Sequence, residues 1–159
     1  LIARRCHMMH MHHDAPASFA DLTCACNALR KASRAVTRFY DEVMEGSVLS
    51  LTQFAVLRNI RRLQPVPLMR LAEVLVMDRT TLYRALGPLE REGWIALDEG
   101  EGRTKVARLT AAGESAISQS TAAWQAAQER LIGRFGLERW QALEGALSDL
   151  VTLSQEQPA

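Results

Sequence analysis

Residues 76–95 read VMDRTTLYRALGPLEREGWI, and their spacing predicts a short helix with two unlike faces. Apolar residues recur at i, i+3, i+4 and i+7, which is typical of one buried helical stripe. These residues are Leu82, Ala85, Leu86 and Leu89. Asp78 precedes the helix as its N-cap, because a carboxylate there can accept from the free amides of the first turn. Pro88 removes one backbone hydrogen bond, so we expect one bent helix rather than two.

The opposite face of this helix carries side chains that suit a DNA groove. Thr80, Arg84 and Arg91 fall on that side. Hydroxyl and guanidinium groups donate to phosphates and base edges, and the helix N-terminus adds the positive end of its dipole. The pattern therefore predicts a recognition helix that enters the major groove.

The neighbouring segments complete a winged helix-turn-helix. Residues 67–75 predict a second short helix, joined to the first by only a few residues. After Gly93, residues 94–97 and 105–109 predict two strands around the polar loop 98–104, which is typical of a β-hairpin wing. The predicted fold class is mainly α with this small β-hairpin wing.

Long helices are predicted on both sides of this module, over residues 17–44, 110–132 and 137–154. The last helix carries a heptad-like apolar seam, formed by Trp140, Leu143, Leu147 and Leu150. This is more apolar surface than a small winged domain needs to cover. We therefore predict dimerisation helices in residues 17–46 and 110–159, around a DNA-binding module in residues 50–109. Two-fold symmetry then requires a roughly palindromic DNA site with half-sites about one helical turn apart.

Composition narrows the class of protein. The 159 residues are 48% hydrophobic, which is enough for one domain with a core. The net charge is only +1, but residues 58–108 hold ten basic against seven acidic residues, and residues 109–159 hold three against six. The basic charge therefore concentrates in the predicted DNA-binding module.

Several function classes are excluded or disfavoured by what the sequence lacks. All four histidines lie in the first 13 residues, and there is no phosphate-binding loop, zinc-ligand spacing or Gly-x-Ser-x-Gly motif. We therefore predict that the protein is not an enzyme and needs no cofactor. No apolar stretch approaches the length of a bilayer span, and residues 1–5 are too short and charged for a secretory signal. The expected location is the cytoplasm, with no membrane partner.

The first 16 residues form a tail rich in histidine and methionine. Its Cys, His and Met side chains are types that bind copper, nickel or zinc, so metal binding is one interpretation. A disordered terminal tail is the interpretation that we favour, and we predict no metal site.

The sequence resembles the MarR (multiple antibiotic resistance regulator) family of winged helix-turn-helix transcription factors from about Cys24 to the C-terminus. The resemblance is carried by Leu71-Ala72, by DRTTLYR at 78–84 and LEREG at 89–93, and by LTAAG at 109–113. It implies a homodimeric DNA-binding regulator. The family's wing carries Asp-x-Arg where this chain has Glu101-Gly102-Arg103. The resemblance gives Arg103 a role in the minor groove, braced by Glu101.

Together, the helix face and the resemblance predict the DNA-contacting residues. They are Arg79, Thr80, Thr81, Tyr83, Arg84, Arg103 and Lys105. Thr80, Thr81 and Arg84 are expected to face the major groove, and Arg79 and Lys105 to neutralise phosphates. Tyr83 is expected to stack or to pack under the DNA backbone.

Two kinds of effector remain open. The resemblance implies a small aromatic or lipophilic ligand bound between the helical region and the winged module. Cys26 and Tyr40, fourteen residues apart, also resemble the family branch that senses organic hydroperoxides, although Arg30 and Leu51 stand at its other tyrosine positions. Arg30, one helical turn from Cys26, could favour the reactive thiolate. We favour the view that Cys24 and Cys26 are small buried hydrophobic residues at a helix-packing surface.

The predicted function is that of a dimeric, sequence-specific DNA-binding regulator, a repressor released from DNA by a small ligand. One alternative is an oxidant-sensing repressor that uses Cys26. The other is a winged-helix module that binds protein instead of DNA. In that case the region of Tyr83 and Trp94 would matter more than Arg84 and Arg103.

Overall fold

The computed structural model describes residues 22–100, 102 and 104–155. The helices are α1 (Ala25–Val43), α2 (Leu51–Leu63), α3 (Leu68–Leu75), α4 (Arg79–Arg91), α5 (Ala111–Phe135) and α6 (Leu137–Gln155). The strands are β1 (Val66–Pro67), β2 (Ile95–Glu99) and β3 (Lys105–Leu109). The predicted fold class, mainly α with a small wing, is confirmed. None of the helices among the described residues is long and apolar enough to cross a membrane.

The chain divides into two units, Leu1–Ala35 and Val36–Ala159, and α1 begins in the first and ends in the second. The prediction that this helix begins at residue 17 is wrong for residues 22–24, which are not helical. The amide of Ala28 donates to the carbonyl of Cys24, and this is the bond that starts the helix. The apolar spacing continues upstream of Cys24, but spacing alone does not supply backbone hydrogen bonds. Residues 17–21 lie outside the described part.

The predicted ends of α3, α5 and α6 agree with the structure to within three residues. Ser50 and Gln53 form a capping box at the start of α2. Helix α4 is one continuous helix that contains Pro88. Helix α5 continues beyond residue 132 through Gly133 and ends at Gly136, whose φ of +99° is a backbone conformation that favours glycine.

The sheet has three antiparallel strands in the order β1-β3-β2. The hairpin of β2 and β3 matches the predicted wing, with Ile95 opposite Leu109 and Glu99 opposite Lys105. Strand β1, which pairs Val66 with Ala107, was not predicted. A strand of two residues, Val66 and Pro67, is too short to show a period-2 pattern. This strand ties the wing to the turn between α2 and α3.

The core lies where α2, α3, α4 and α5 meet the sheet. Its fully buried large side chains include Phe54, Leu57, Ile60, Leu71, Leu82, Leu86, Leu89 and Ile117. Three of the four residues of the predicted α4 stripe are among them, and Ala85 is half-buried. Each such leucine stabilises the fold by about 1.5–3 kcal/mol relative to an exposed one. The core therefore holds α4 firmly by one face and leaves its other face to solvent.

Val76, in the turn between α3 and α4, is strained, and we expect Val76→Gly to stabilise the protein by about 1 kcal/mol. Its φ of 51° and ψ of 45° are left-handed, which a β-branched residue rarely adopts. The side chain is 58% exposed, so its removal loses little burial. Chemical denaturation would measure the gain. Val76→Ala should gain less, because it keeps a Cβ, and a loss of stability in Val76→Gly would contradict the assignment of strain.

Candidate nucleic-acid interface

The N-terminus of α4 is fixed by Asp78. Its carboxylate accepts the amide of Thr81 at 2.9 Å and the hydroxyl of Thr81 at 2.6 Å. Both bonds favour the charged carboxylate and hold the pKa of Asp78 below its usual value. The bond from the Thr81 hydroxyl has the larger effect and the bond from the amide the smaller. This contact limits how Thr81 could bind DNA. Its hydroxyl proton is committed to Asp78, so the side chain has only acceptor capacity left for a base or phosphate.

The exposed face of α4 carries the other predicted contacts. Thr80 and Arg84 are exposed in the first two turns. The guanidinium carbon of Arg79 lies 5.6 Å from the ring centre of Tyr83, which places a cation beside an aromatic face. Within the part of the chain that the structure describes, Arg84 makes no salt bridge or side-chain hydrogen bond. Its five donors are therefore available to an external acceptor.

A hollow of about 350 Å³ lies between α3, α4 and the loop end of the wing. Arg79, Tyr83 and Lys105 line it, together with Leu82 and Met69. The structure thus brings together two predicted residues of the recognition helix and one of the wing. Met69 is 71% exposed, and it adds an apolar surface that sequence reasoning did not single out.

The wing has its own ion pair. Arg108 Nε and Nη2 both donate to Asp98 Oδ2, at 2.8 and 2.6 Å. This pair was not predicted, because the two positions become diagonal neighbours only when the strand register is known. Lys105, at the start of β3, is exposed. Glu101 and Arg103 lie outside the described residues, so their predicted bracing and minor-groove roles remain predictions.

A second cleft, of about 320 Å³, lies between α2 and α5. The guanidinium carbon of Arg58 lies 4.3 Å from the ring centre of Trp124 and 5.7 Å from that of Phe54. Asn59 and Arg62 also line the cleft, and Arg62 Nη2 donates to Asn59 Oδ1 at 3.2 Å. The cleft was not predicted residue by residue, because it depends on how two helices pack. It combines positive charge with aromatic surface.

The two cysteines in the part of the chain that the structure describes are not buried. Cys24 and Cys26 are both exposed, so the preferred interpretation of small buried hydrophobic residues is wrong for this chain. Every residue from 22 to 35 is exposed. Tyr40 is 5% exposed, and its hydroxyl donates to the side-chain oxygen of Gln128. Burial raises the pKa of Tyr40, because the charged phenolate is disfavoured away from water.

Helix α6 presents an apolar face to solvent. It contains no buried residue, although it follows the predicted seam. Trp140 and Leu147 are half-buried, whereas Leu143 and Leu150 are 39% and 43% exposed. Leu143 and Leu150 are seven residues apart and share one side of the helix.

Comparison with known proteins gives a consistent result for the central part of the chain. Residues 49–96 match the model of the MarR family. HTH-type transcriptional regulators of Bacillus cereus and Bacillus anthracis are 35% identical to the chain over 80 residues. These matches cover 50% of this chain, which spans about half (54%) of the length of those relatives.

Solved structures match over a longer part of the chain. The M. tuberculosis transcriptional regulator MosR, solved in complex with DNA, is 28% identical, with a TM-score of 0.75. That match covers 84% of this chain and 97% of MosR. MarR from E. coli is 21% identical with a TM-score of 0.64, and the match covers 82% of this chain and 98% of MarR. At that identity the similarity to MarR shows the fold alone.

Proposed function

Because the chain carries a MarR-family winged helix-turn-helix domain, we propose that it is a transcriptional regulator that binds a pseudo-palindromic DNA operator as a homodimer. The observation that carries this proposal is the exposed face of α4. It presents Arg84, which has no intramolecular partner among the described residues, in the second turn of a helix whose other face is buried in the core. The 28% identical MosR was solved with DNA, which supports the same use of the fold.

The proposed docking follows from the chemistry of each exposed group. Thr80 and Arg84 face base edges in the major groove, where an arginine pairs best with guanine. Arg79 and Lys105 contact phosphates on either side of the hollow that they share. Tyr83 lies between them and packs against the DNA backbone. Arg103 of the wing enters the minor groove with Glu101 beside it, as the family resemblance implies.

The dimer is proposed from α6. A helix of 19 residues without a buried side chain stabilises a fold only if another surface covers it. Leu143 and Leu150 are exposed beside the half-buried Trp140 and Leu147 in the same apolar seam. A second copy of the chain can therefore pack against the exposed part of this seam. In a two-fold dimer these residues meet their own counterparts.

We propose that the protein represses transcription in the cytoplasm and is released from DNA by a small aromatic ligand. The cleft at Arg58 and Trp124 supports such a ligand, since it offers a guanidinium group and an indole ring to a planar anion. It lies between α2 of the winged module and α5 of the helical region. A ligand there would act on both parts at once.

An oxidant-sensing repressor is the second candidate, and the exposure of Cys26 favours it. A thiolate must be accessible for a peroxide to oxidise it to a sulfenic acid. The third candidate is a module that binds protein through the Tyr83 region without DNA. The free guanidinium of Arg84 favours DNA over this candidate.

The test is fluorescence anisotropy of the purified chain with a duplex selected from a random-sequence pool, against a scrambled duplex, across a salt series. We expect binding to the selected duplex to be tighter and to weaken with salt, as phosphate contacts require. Equal binding to both duplexes, or none, would contradict the proposal. Benzoate and hydrogen peroxide are then added to the complex. Release that Arg58→Gln abolishes supports the ligand cleft, and release that Cys26→Ser abolishes supports the oxidant sensor.

A further inference from the structure

The end of the recognition helix is joined to the start of α5 by a set of short contacts. Thr110 Oγ1 donates to the carbonyl oxygen of Gly93 at 2.6 Å and accepts the amide of Gly113 at 3.1 Å. The amide of Thr110 donates to the carbonyl oxygen of Trp94 at 3.1 Å. We call the four residues Gly93, Trp94, Thr110 and Gly113 the α4–α5 clasp.

Gly113 makes this close approach possible. A Cβ built on Gly113 would overlap the carbonyl oxygen of Trp94 and would lie 3.0 Å from Leu109 Cδ1. Glycine inside a helix is less favourable than alanine, and Gly113 lies in the first turn of α5, where its φ is not positive. We therefore assign Gly113 a steric role, because the absence of a Cβ leaves space for the carbonyl oxygen of Trp94.

The clasp is anchored in α4 by backbone hydrogen bonds, and on its α5 side it adjoins one weak, exposed ion pair. The amides of Gly93 and Trp94 donate to the carbonyls of Glu90 and Leu89, at 2.9 Å each, in the last turns of α4. On the other side, Glu114 of α5 lies 3.8 Å from Arg61 of α2. Displacement of the first turn of α5 would therefore strain the end of the recognition helix.

We infer that Thr110 and Gly113 are positioning residues that fix the recognition helix relative to α5 and thereby set the half-site spacing that the dimer accepts. This inference rests on the proposed dimeric DNA binding. Ten base pairs make about one turn of 34–36 Å, so one inserted base pair shifts a half-site by about 3.4 Å and rotates it by about 35°. If the connection between the dimer and the recognition helix is rigid, the helix cannot reach the displaced half-site. If the connection is loosened, the helix can reach it.

The experiment compares three duplexes, which are the selected operator and two versions with one or two base pairs inserted between its half-sites. Wild type should lose at least about tenfold in affinity on one insertion, comparable to a mismatched base pair. Thr110→Val removes both bonds of the hydroxyl at nearly constant side-chain volume. When one base pair is inserted, we expect the affinity of this variant to fall by less than about threefold. Gly113→Ala should flatten the spacing preference or move its optimum, and Thr110→Ser should restore the wild-type profile.

Matched controls separate positioning from stability. Ser50→Ala removes the N-cap of α2 and leaves the clasp intact, so it should destabilise the fold without altering the spacing profile. Gly133→Ala is the control for Gly113→Ala, because it adds the same methyl group to α5 at a position where no atom lies within 4 Å. If Thr110→Val and Gly113→Ala weaken binding equally on all three duplexes, the clasp is merely structural and the inference is overturned. If wild type binds none of them, the proposed function fails instead.

Discussion

Leu150→Glu is expected to convert the homodimer into a monomer and to lower operator affinity by about 10²–10⁴-fold, the gain that linkage of two binding modules provides. Leu150 is 43% exposed on a helix without buried residues. In a two-fold interface each substitution acts in both copies, so two carboxylates would enter one apolar seam. Burial of unpaired charge costs several kcal/mol per ion, which exceeds what a single leucine contact contributes.

Light scattering after size exclusion would measure the mass, and circular dichroism would show whether the helices persist. Thr152→Glu is the matched control, because it adds the same charge about 200° around the helix from Leu150. Thr152 is exposed, and its hydroxyl bonds only within its own helix. A Leu150→Glu variant that stays dimeric with unchanged operator affinity would exclude the exposed α6 face as the interface.

The recognition helix and its buried stripe were predictable because they depend on local rules. Helical periodicity identified Leu82, Leu86 and Leu89 as core residues, and all three are fully buried. The N-cap rule identified Asp78, whose carboxylate bonds the amide of Thr81. Both signals lie within a few residues in sequence, so no knowledge of the tertiary fold was needed.

The features that were missed depend on contacts between segments distant in sequence. Strand β1 exists because Val66 meets Ala107, and the α4–α5 clasp exists because Gly93 meets Thr110. The LTAAG motif at 109–113 was visible as a resemblance, but its steric reason appears only when Trp94 lies against Gly113. The exposure of Cys26 was likewise misjudged, because an apolar residue type in a helix does not reveal which face is covered.

Charge counting also gave an incomplete account of the DNA face. Nine of the ten basic residues in 58–108 are among those described, and three of the nine form ion pairs: Arg61 with Glu114, Arg70 with Glu73, and Arg108 with Asp98. These pairs are exposed and weak, but each reduces the positive potential that reaches an external phosphate. Of the six described cations without an ion pair, three lie on α4 and one is Lys105, whereas Arg58 and Arg62 line the cleft at Trp124. Local geometry, more than net charge, defines the interface.

Arg84→Ala is expected to weaken binding to the selected operator by about 1–3 kcal/mol and to relax the preference at one base pair. The reason is that Arg84 is exposed on the α4 face opposite the core and has no partner among the residues described. Loss of a base contact lowers affinity for the correct sequence and leaves affinity for scrambled DNA nearly unchanged. Anisotropy with operator variants at single positions would measure both effects.

Lys105→Ala and Arg134→Ala are the variants with which Arg84→Ala is compared. Lys105 lines the hollow with Arg79 and Tyr83, so its loss should weaken all sequences alike and reduce the salt dependence by about one phosphate contact. Arg134, in the last turn of α5, should change neither affinity nor preference. Because the three variants each remove one positive charge, a general electrostatic effect would lower affinity equally in all of them. Only a base-reading Arg84 produces a selective loss at one position, and an unchanged Arg84→Ala would place the major-groove contact elsewhere on α4.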